Sequence, residues 1–385
     1  MTQARMELLQ MEKKILLKDF LFNQEKVTKI AAEIKESYSD FNSKRFIKKT
    51  VDEFPKLELK ERINWISENL KTFLPQDFTN ATNILLKSLP PPNNPNLNDN
   101  DFGDFIYAPY SDFVSKNGCN EKYLEFSLNA LKEITKRFSA EDAIRYFINT
   151  FPDKTLETLE NWTNDPHYHV RRLASEGTRP KLPWSQKIKI SVKQSLPILD
   201  KLYYDRTRFV TRSVANHIND ISKIDSNLTI KTLTRWRNSK KQSSKEMNYI
   251  INHSLRSLVK LGNKDALEFL GFSPTPKIKI SKLEIQTRKV KIGTTLEFDL
   301  ELISEKDEKL IIDYLIYFQN RFGEMKNKKV FKITQILMKK NQKFCISKKH
   351  PLRKMTTRKL FPGKHKLEIQ INGAKLGNEY FDLAI

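Results

Sequence analysis

The sequence predicts a multidomain chain, α first and β afterwards. A HEAT-like α-helical solenoid over residues 1–272 is followed by a C-terminal immunoglobulin-like β-sandwich over residues 276–385. Three observations predict it. Up to about residue 272, apolar residues recur at helical spacing between short polar breaks. An internal echo of about 40 residues runs through that part. After Pro274-Thr275-Pro276 the texture changes to alternation of apolar and polar residues.

The helical period is plain in Arg62-Ile63-Asn64-Trp65-Ile66-Ser67-Glu68-Asn69-Leu70 and from Tyr123 to Thr135. The Pro/Asn-rich segment Pro90 to Asn100 breaks it and reads as a loop. The echo consists of Val170-Arg171-Arg172 and Val210-Thr211-Arg212, 40 residues apart, each preceded by an acidic turn, Asp165-Pro166 or Asp205-Arg206. A further helix, Ser254-Leu255-Arg256-Ser257-Leu258, follows about 45 residues later. Units of this length stack into a solenoid whose concave face suits a long partner. In the last part Ile278, Ile280, Leu283 and Ile285, then Leu296, Phe298, Leu300 and Leu302, fall at or near a two-residue period. Gly, Asn and Asp turns separate such strands to the end, which is the size and texture of an immunoglobulin-type sandwich.

Charge narrows the partners. The chain of 385 residues carries 69 Lys and Arg against 46 Asp and Glu, a formal net charge of +23. Residues 276–385 alone hold 25 basic and 12 acidic residues. Such an excess favours polyanions, either nucleic acid or an anionic membrane surface. A Lys-rich low-GC bacterial proteome would produce the same bias without any such partner. No run of 18 or more apolar residues is present, so no spanning helix is expected. Met1 to Lys18 mixes charged residues with Leu and Ile and lacks the apolar core of a signal peptide. The two cysteines, Cys119 and Cys345, lie far apart; that excludes a disulfide framework or a zinc site on paired cysteines and fits a reducing cytoplasm. His167 and His169 have no third ligand at convincing spacing, and no Walker loop or dinucleotide fingerprint occurs. No metal and no small-molecule cofactor is expected.

One stretch is more specific than a repeat. Asn161-Trp162-Thr163-Asn164-Asp165-Pro166, continued by Val170-Arg171-Arg172-Leu173-Ala174-Ser175-Glu176-Gly177-Thr178-Arg179-Pro180-Lys181-Leu182-Pro183-Trp184, resembles the signature of AlkC-type DNA alkylation-repair glycosylases. Arg212-Ser213-Val214-Ala215-Asn216-His217-Ile218-Asn219-Asp220-Ile221-Ser222-Lys223 is similar to a second block of that family. Weaker agreement surrounds them at Asp101-Phe102-Gly103, Ala140-Glu141 and Gly262-Asn263-Lys264-Asp265-Ala266-Leu267, so the resemblance spans roughly residues 50 to 272. A β-sandwich after the repeats is similar to one subgroup. The resemblance implies a monofunctional glycosylase of base excision repair that removes N3-methyladenine and N3-methylcytosine from double-stranded DNA and leaves an abasic site. A monomer suits a solenoid that grips duplex DNA, and the expected location is the bacterial cytoplasm, at the nucleoid.

The chemistry asks for few groups. An N3-alkylated base is cationic and leaves neutral, so no general acid is required. The difficulty is the positive charge growing on the deoxyribose and the water that attacks it, which a fixed carboxylate stabilises and orients. An aromatic face holds the cationic base by cation–π attraction. By resemblance, Glu141, Glu176, Trp184 and Asp220 match the family's active-site positions. Asp220 is assigned nearest the sugar and water, Glu176 and Glu141 to the cationic lesion, and Trp184 to packing against it at the start of the next helix. Each has a duller reading. Asp220 caps a helix or pairs with Lys223, Glu176 pairs with Arg172 or Arg179, Glu141 is a helix-start acid, and Trp184 is core. Arg171, Arg172, Arg179 and Arg212 are the candidate DNA contacts. Of these, Arg172 and Arg212 occupy the position where such repeats pair Arg with an inter-repeat Asp, and Arg171 and Arg179 are the freer pair for phosphate. Arg235, Arg237, Lys240 and Lys241 form a further basic cluster, on the DNA path or at a solvated helix end. The alternative functions are a non-catalytic repeat protein that binds distorted DNA and a protein scaffold.

Overall fold

A computed structural model of the chain describes residues 16–96, 102–353 and 359–384. Asp101 of the family-like block, the end of the Pro90–Asn100 loop and most of the Met1–Lys18 start lie outside the described residues.

Helices come first: α1 Leu17–Leu21, α2 Gln24–Ser37, α3 Ser43–Val51, α4 Leu59–Phe73, α5 Phe78–Lys87, α6 Ala108–Gly118, α7 Leu124–Thr135 and α8 Ile144–Thr150. They continue as α9 Pro152–Trp162, α10 Tyr168–Gly177, α11 Leu196–Leu202, α12 Arg208–Ser222, α13 Ser226–Ser239, α14 Ser244–Leu261 and α15 Lys264–Phe269. Among the described residues, none is long and apolar enough to cross a membrane.

The repeat read from the sequence has a physical basis in two turns. Asp165 Oδ1 accepts from His167 N and Asp205 Oδ1 from Thr207 N, each at 2.8 Å, so each Asp turns the chain into the next helix. Each also binds a cation from the preceding layer, Lys132 to Asp165 at 2.8 Å and Arg171 to Asp205 at 2.5 Å. The helices so launched, α10 and α12, pack side by side. Val170, Leu173 and Ala174 of one and Val210, Val214 and Ile218 of the other are fully buried. Gly177 closes α10 against α8, where an added Cβ would stand 2.5 Å from Ile144 Cγ2. Helix α12 is buried nearly all round, so its Ser213, His217 and Asp220 have left water and need partners inside the protein.

By Cα proximity the chain forms two compact units. One runs to Ile224 and includes Thr232–Ser254; the other takes Asp225–Lys231 and the described chain from Leu255 onward. The second contains the strands β1 Ile278–Ile285, β2 Lys289–Lys291, β3 Thr295–Ser304, β4 Glu308–Phe318, β5 Asn327–Met338, β6 Lys343–Pro351, β7 Gly363–Ile371 and β8 Ala374–Ala384. They make a three-stranded sheet, β1-β3-β6, and a five-stranded sheet, β2-β8-β7-β4-β5. All pairings are antiparallel except β2 with β8. Leu296, Phe298, Leu300 and Leu302 of β3 meet Leu310, Ile312, Tyr314 and Ile316 of β4 in the core between the sheets.

Strand β3 alternates as its sequence predicts, whereas β4 is buried on both faces. The reason is on its outer side, where Ile311 packs with Leu267 and Phe272 of the α15 region. A strand covered twice reads as a continuous apolar run. Beside it Gly262 (φ +72°) and Gly373 (φ +82°) touch backbone to backbone, and a Cβ on Gly373 would lie 2.5 Å from Gly262 Cα. Both the conformation and the space require glycine there.

Candidate active site

Helical spacing places Arg172, Glu176 and Arg179 on one side of α10 and its end, at i, i+4 and i+7. On α12 the same rule aligns Ser213 with Asp220. The turn before α8 supplies Glu141. These side chains form one row. Arg172 Nη1 donates to Glu141 Oε2 at 3.0 Å and to Ser139 Oγ at 3.1 Å, and its Nη2 stands 3.7 Å from Glu176 Oε2. Arg179 Nη1 donates to Glu176 Oε1 at 2.5 Å. Arg179 Nε and Nη2 both donate to Asp220 Oδ2, at 2.9 and 2.8 Å. Lys223 Nζ donates to the other oxygen, Oδ1, at 3.1 Å. Three carboxylates from three segments are thus linked by two guanidinium groups.

Burial sets the electrostatics. Glu176 and Asp220 are each only 4% exposed. Burial alone pushes the Glu176 carboxyl up, but Arg172, Arg179 and the Ser213 hydroxyl, which donates to Oε2 at 2.6 Å, outweigh it. The group is held below the usual carboxylate range and stays ionised. Arg179 is likewise opposed by burial, and Glu176 and Asp220 leave it more basic than a free guanidinium. Behind the row lies His217, fully buried, with Nδ1 3.0 Å from the Ser175 carbonyl and Nε2 3.2 Å from Ser195 Oγ. Burial, then the nearby Arg179, push its pKa down to about 3, so it is a neutral imidazole.

Trp184 lies in the turn before Ser185. It is not at the helix start expected for it, nor in the core as its duller alternative had it. The turn gives it φ +64°, a left-handed conformation that costs a non-glycine residue roughly 1–2 kcal/mol. Its side chain is 78% exposed. It shares a cleft of about 360 Å³ with Glu141, Tyr146, Phe138 and Ile63. Glu141 lies in the turn just ahead of α8, and its side chain is 28% exposed, against 6% for Glu176. The row therefore runs from buried Asp220 and Glu176 out to a cleft with an exposed indole.

Two arginine expectations are corrected. Arg171 is not one of the freer pair. It is the inter-repeat staple, donating to Asp205, to Thr207 Oγ1 at 3.1 Å and to the Asp165 and Pro166 carbonyls at 2.8 and 3.0 Å. Consecutive helical residues point about 100° apart, so the staple falls to Arg171 while Arg172 faces the acids. Arg179 is equally engaged, within the acid row. Arg172 also lies over the Phe209 ring at 4.6 Å. Arg212, one turn before Asn216 on α12, is half-buried. In the basic cluster, Arg235 pairs with Asp200 at 2.7 Å. His167 caps α10, its Nδ1 accepting from His169 N at 3.2 Å.

Comparisons with known proteins agree with the motif. Residues 279–385 match a family model described as "Uncharacterised protein YhaZ, C-terminal Ig-like domain". Over 357 residues the chain is 33% identical to a protein described as uncharacterized protein YhaZ of Bacillus subtilis (strain 168), covering 92% of this chain and 95% of that one. It is also similar to the solved structure of Pseudomonas fluorescens alkylpurine DNA glycosylase AlkC bound to DNA containing an abasic site analog. There the identity is 31% and the TM-score 0.87, over 96% of this chain and 100% of the other. The chain belongs to the AlkC family. It has the form with a C-terminal immunoglobulin-like domain.

Three residues of this AlkC-family chain were missed as site members. Ser213 carried a signal, the i, i+7 spacing to Asp220, even though it sat in a recognised block. Lys60 and Asp142 carried none. Lys60 Nζ donates to the Trp184 carbonyl at 2.6 Å across 124 positions of sequence and pairs with Asp142 Oδ2 at 2.9 Å.

Proposed function

We propose that the protein is a monofunctional DNA glycosylase of base excision repair. It hydrolyses the N-glycosidic bond of cationic N3-alkylated bases, N3-methyladenine and N3-methylcytosine, and leaves an abasic site. Its partner is double-stranded DNA and it acts as a monomer, without metal or cofactor. One observation carries the reading: three carboxylates from successive layers stand in one row beside an exposed tryptophan.

The chemistry follows from charge. The alkylated base departs as a neutral molecule, so the barrier lies in the cation developing on the sugar. Asp220 is the group assigned to that cation and to the attacking water. Its Oδ2 is locked by Arg179, whereas Oδ1 is held, among the described residues, by Lys223, whose side chain is 39% exposed. When Lys223 turns to a DNA phosphate, Oδ1 becomes an oriented carboxylate oxygen whose charge needs no rearrangement at the moment of reaction. Glu176, fixed as an anion, and Glu141, at the cleft, favour the cationic lesion over an unmodified base. Trp184 supplies the aromatic face, a contribution of roughly 0.5–2 kcal/mol. Arg172 and Arg179 link the acids of this row, and Arg212, half-buried on the same helix as Asp220, is assigned to the DNA backbone. The strongly basic β-unit adds contacts to the backbone, which position DNA without reading its sequence.

Release of N3-methyladenine from methylated duplex DNA by the purified protein, followed by chromatography, tests the reading. Free base without strand scission is the expected product. A second reading, a binding-only relative, is favoured by one feature: Glu176 and Asp220 are buried in ion pairs, as a purely structural network would bury them. Retention of alkylated DNA with no base released would establish that reading and overturn the first.

A further inference from the structure

The tryptophan is exposed, so packing of its own side chain does not fix it, yet its backbone adopts a conformation that asks for support. The segment between α10 and α11 has turns and no regular element. Arg145 anchors its start, donating to the Gly177 and Arg179 carbonyls at 3.0 and 2.8 Å. Further on, Arg145 Nε holds the Gln186 carbonyl at 2.7 Å and Asn149 Nδ2 the Lys187 carbonyl at 2.9 Å. Trp184 lies between these anchors, where its carbonyl accepts from Lys60 at 2.6 Å. The same ammonium is 2.9 Å from the carboxylate of Asp142, the neighbour of Glu141. Both Trp184 and Glu141 line the cleft, as do Lys60 and Asp142.

We propose that Lys60 is a positioning residue that clamps the Trp184 turn to the Glu141–Asp142 turn and so fixes the indole relative to the first carboxylate of the row. The inference rests on the glycosylase reading for its effect on rate, but not for the clamp itself. A lysine suits the task because three donors on one ammonium serve a carbonyl and a carboxylate together. The indole needs such a fixture: an aromatic face misplaced by about an ångström loses much of its hold on a reacting group.

The test combines kinetics with a signal from Trp184 itself. Lys60→Met keeps the stem and removes the donors. It is expected to lower the single-turnover rate of N3-methyladenine release roughly tenfold, with binding to duplex carrying an abasic-site analogue unchanged. Lys60→Arg should restore most of the rate. In a Trp184→Ala background Lys60 still holds the backbone carbonyl but no indole remains to be positioned, so Lys60→Met should cost nothing further. Losses that multiply in the double variant overturn the proposal, because Lys60 then acts on its own, for instance on phosphate. Independently of activity, 5-fluorotryptophan labelling gives fluorine resonances for the four tryptophans, with that of Trp184 assigned by its loss in Trp184→Phe. Lys60→Met should move the Trp184 resonance and leave Trp65, Trp162 and Trp236 in place. An unmoved resonance overturns the clamp. A wild-type protein that releases no base overturns the glycosylase reading and leaves the clamp to be decided by the resonance.

Discussion

Arg179 directs Nε and Nη2 to the same oxygen of Asp220, Oδ2, at 2.9 and 2.8 Å. One carboxylate oxygen is therefore immobilised by two charge-assisted bonds, and the other faces a side chain that can leave. A buried carboxylate held this way has fixed direction as well as fixed charge, which is what a transition-state stabiliser requires.

Asp220→Asn keeps the shape and an oxygen for Arg179 but removes the charge. Release of N3-methyladenine should fall by at least about a hundredfold, the order seen when a preorganised electrostatic group is lost. Helical circular dichroism should remain that of the wild type. Equal rates for both proteins would remove Asp220 from the chemistry.

Trp184 separates function from stability. Because it is 78% exposed, Trp184→Ala should change stability by less than about 0.5 kcal/mol while reducing base release. Trp184→Gly removes the left-handed penalty as well and should raise the thermal midpoint of the helical part above that of the alanine variant. A large loss of stability in either variant would mean that the indole is structural.

Arg172, and after it Arg179, keep Glu176 ionised against the pull of burial. In the wild type the Glu176 carboxyl is depressed, so it stabilises the fold above the unfolded pKa, and that contribution is lost as pH falls through the folded value. In Arg179→Met burial is opposed by Arg172 and the Ser213 hydroxyl alone, so less of the Glu176 contribution remains at neutral pH and less is lost on acidification. The variant should be destabilised by roughly 3–5 kcal/mol at neutral pH, the cost of breaking a buried pair, and its gap to the wild type should narrow on acidification. Urea unfolding at pH 7 and pH 5 measures both; a gap of the same size at the two pH values would refute this account.

His217 gives a second pH signature. Its pKa is pushed down to about 3 in the fold from 6.5, so the unfolded chain takes up a proton first as pH falls. Stability is full above about 6.5 and declines below it, by about 2 kcal/mol between pH 7 and pH 5 from this group alone. His217→Gln should flatten the decline across that window. An unchanged pH slope would show that the imidazole is protonated inside the protein.

Legibility in the sequence followed the range of the contacts. Asp165 and Asp205 were visible because an acidic turn ahead of a Val-x-Arg helix start repeats within one chain segment, and their geometry repeats with it. Arg172, Glu176 and Arg179 share a face by helical spacing, and the 40-residue period brings Asp220 beside them. The failures have equally specific causes. Spacing within α10 marks Arg172 as the neighbour of Glu176, but nothing within that helix shows that Arg171 meets Asp205, 34 positions away. Trp184 follows a proline, which suggested a helix start, whereas a left-handed turn on a non-glycine residue leaves no mark in composition. The hold of Lys60 on Trp184 spans 124 positions and uses a backbone carbonyl, which has no identity in sequence at all.

Because the acids are contributed by separate layers of chain, no contiguous segment owns the acid row. Residues added or lost in the connector between α10 and α11, away from the Trp184 turn, leave Asp220 and Glu176 where they are. A single residue inserted in α12 between Ser213 and Asp220 would swing Asp220 through about 100° and detach it from Arg179. Descendants of this chain are free to drift in connector length and are held to strict register inside their helices. The trait to follow among distant relatives is therefore the seven-residue interval from Ser213 to Asp220, more than overall similarity.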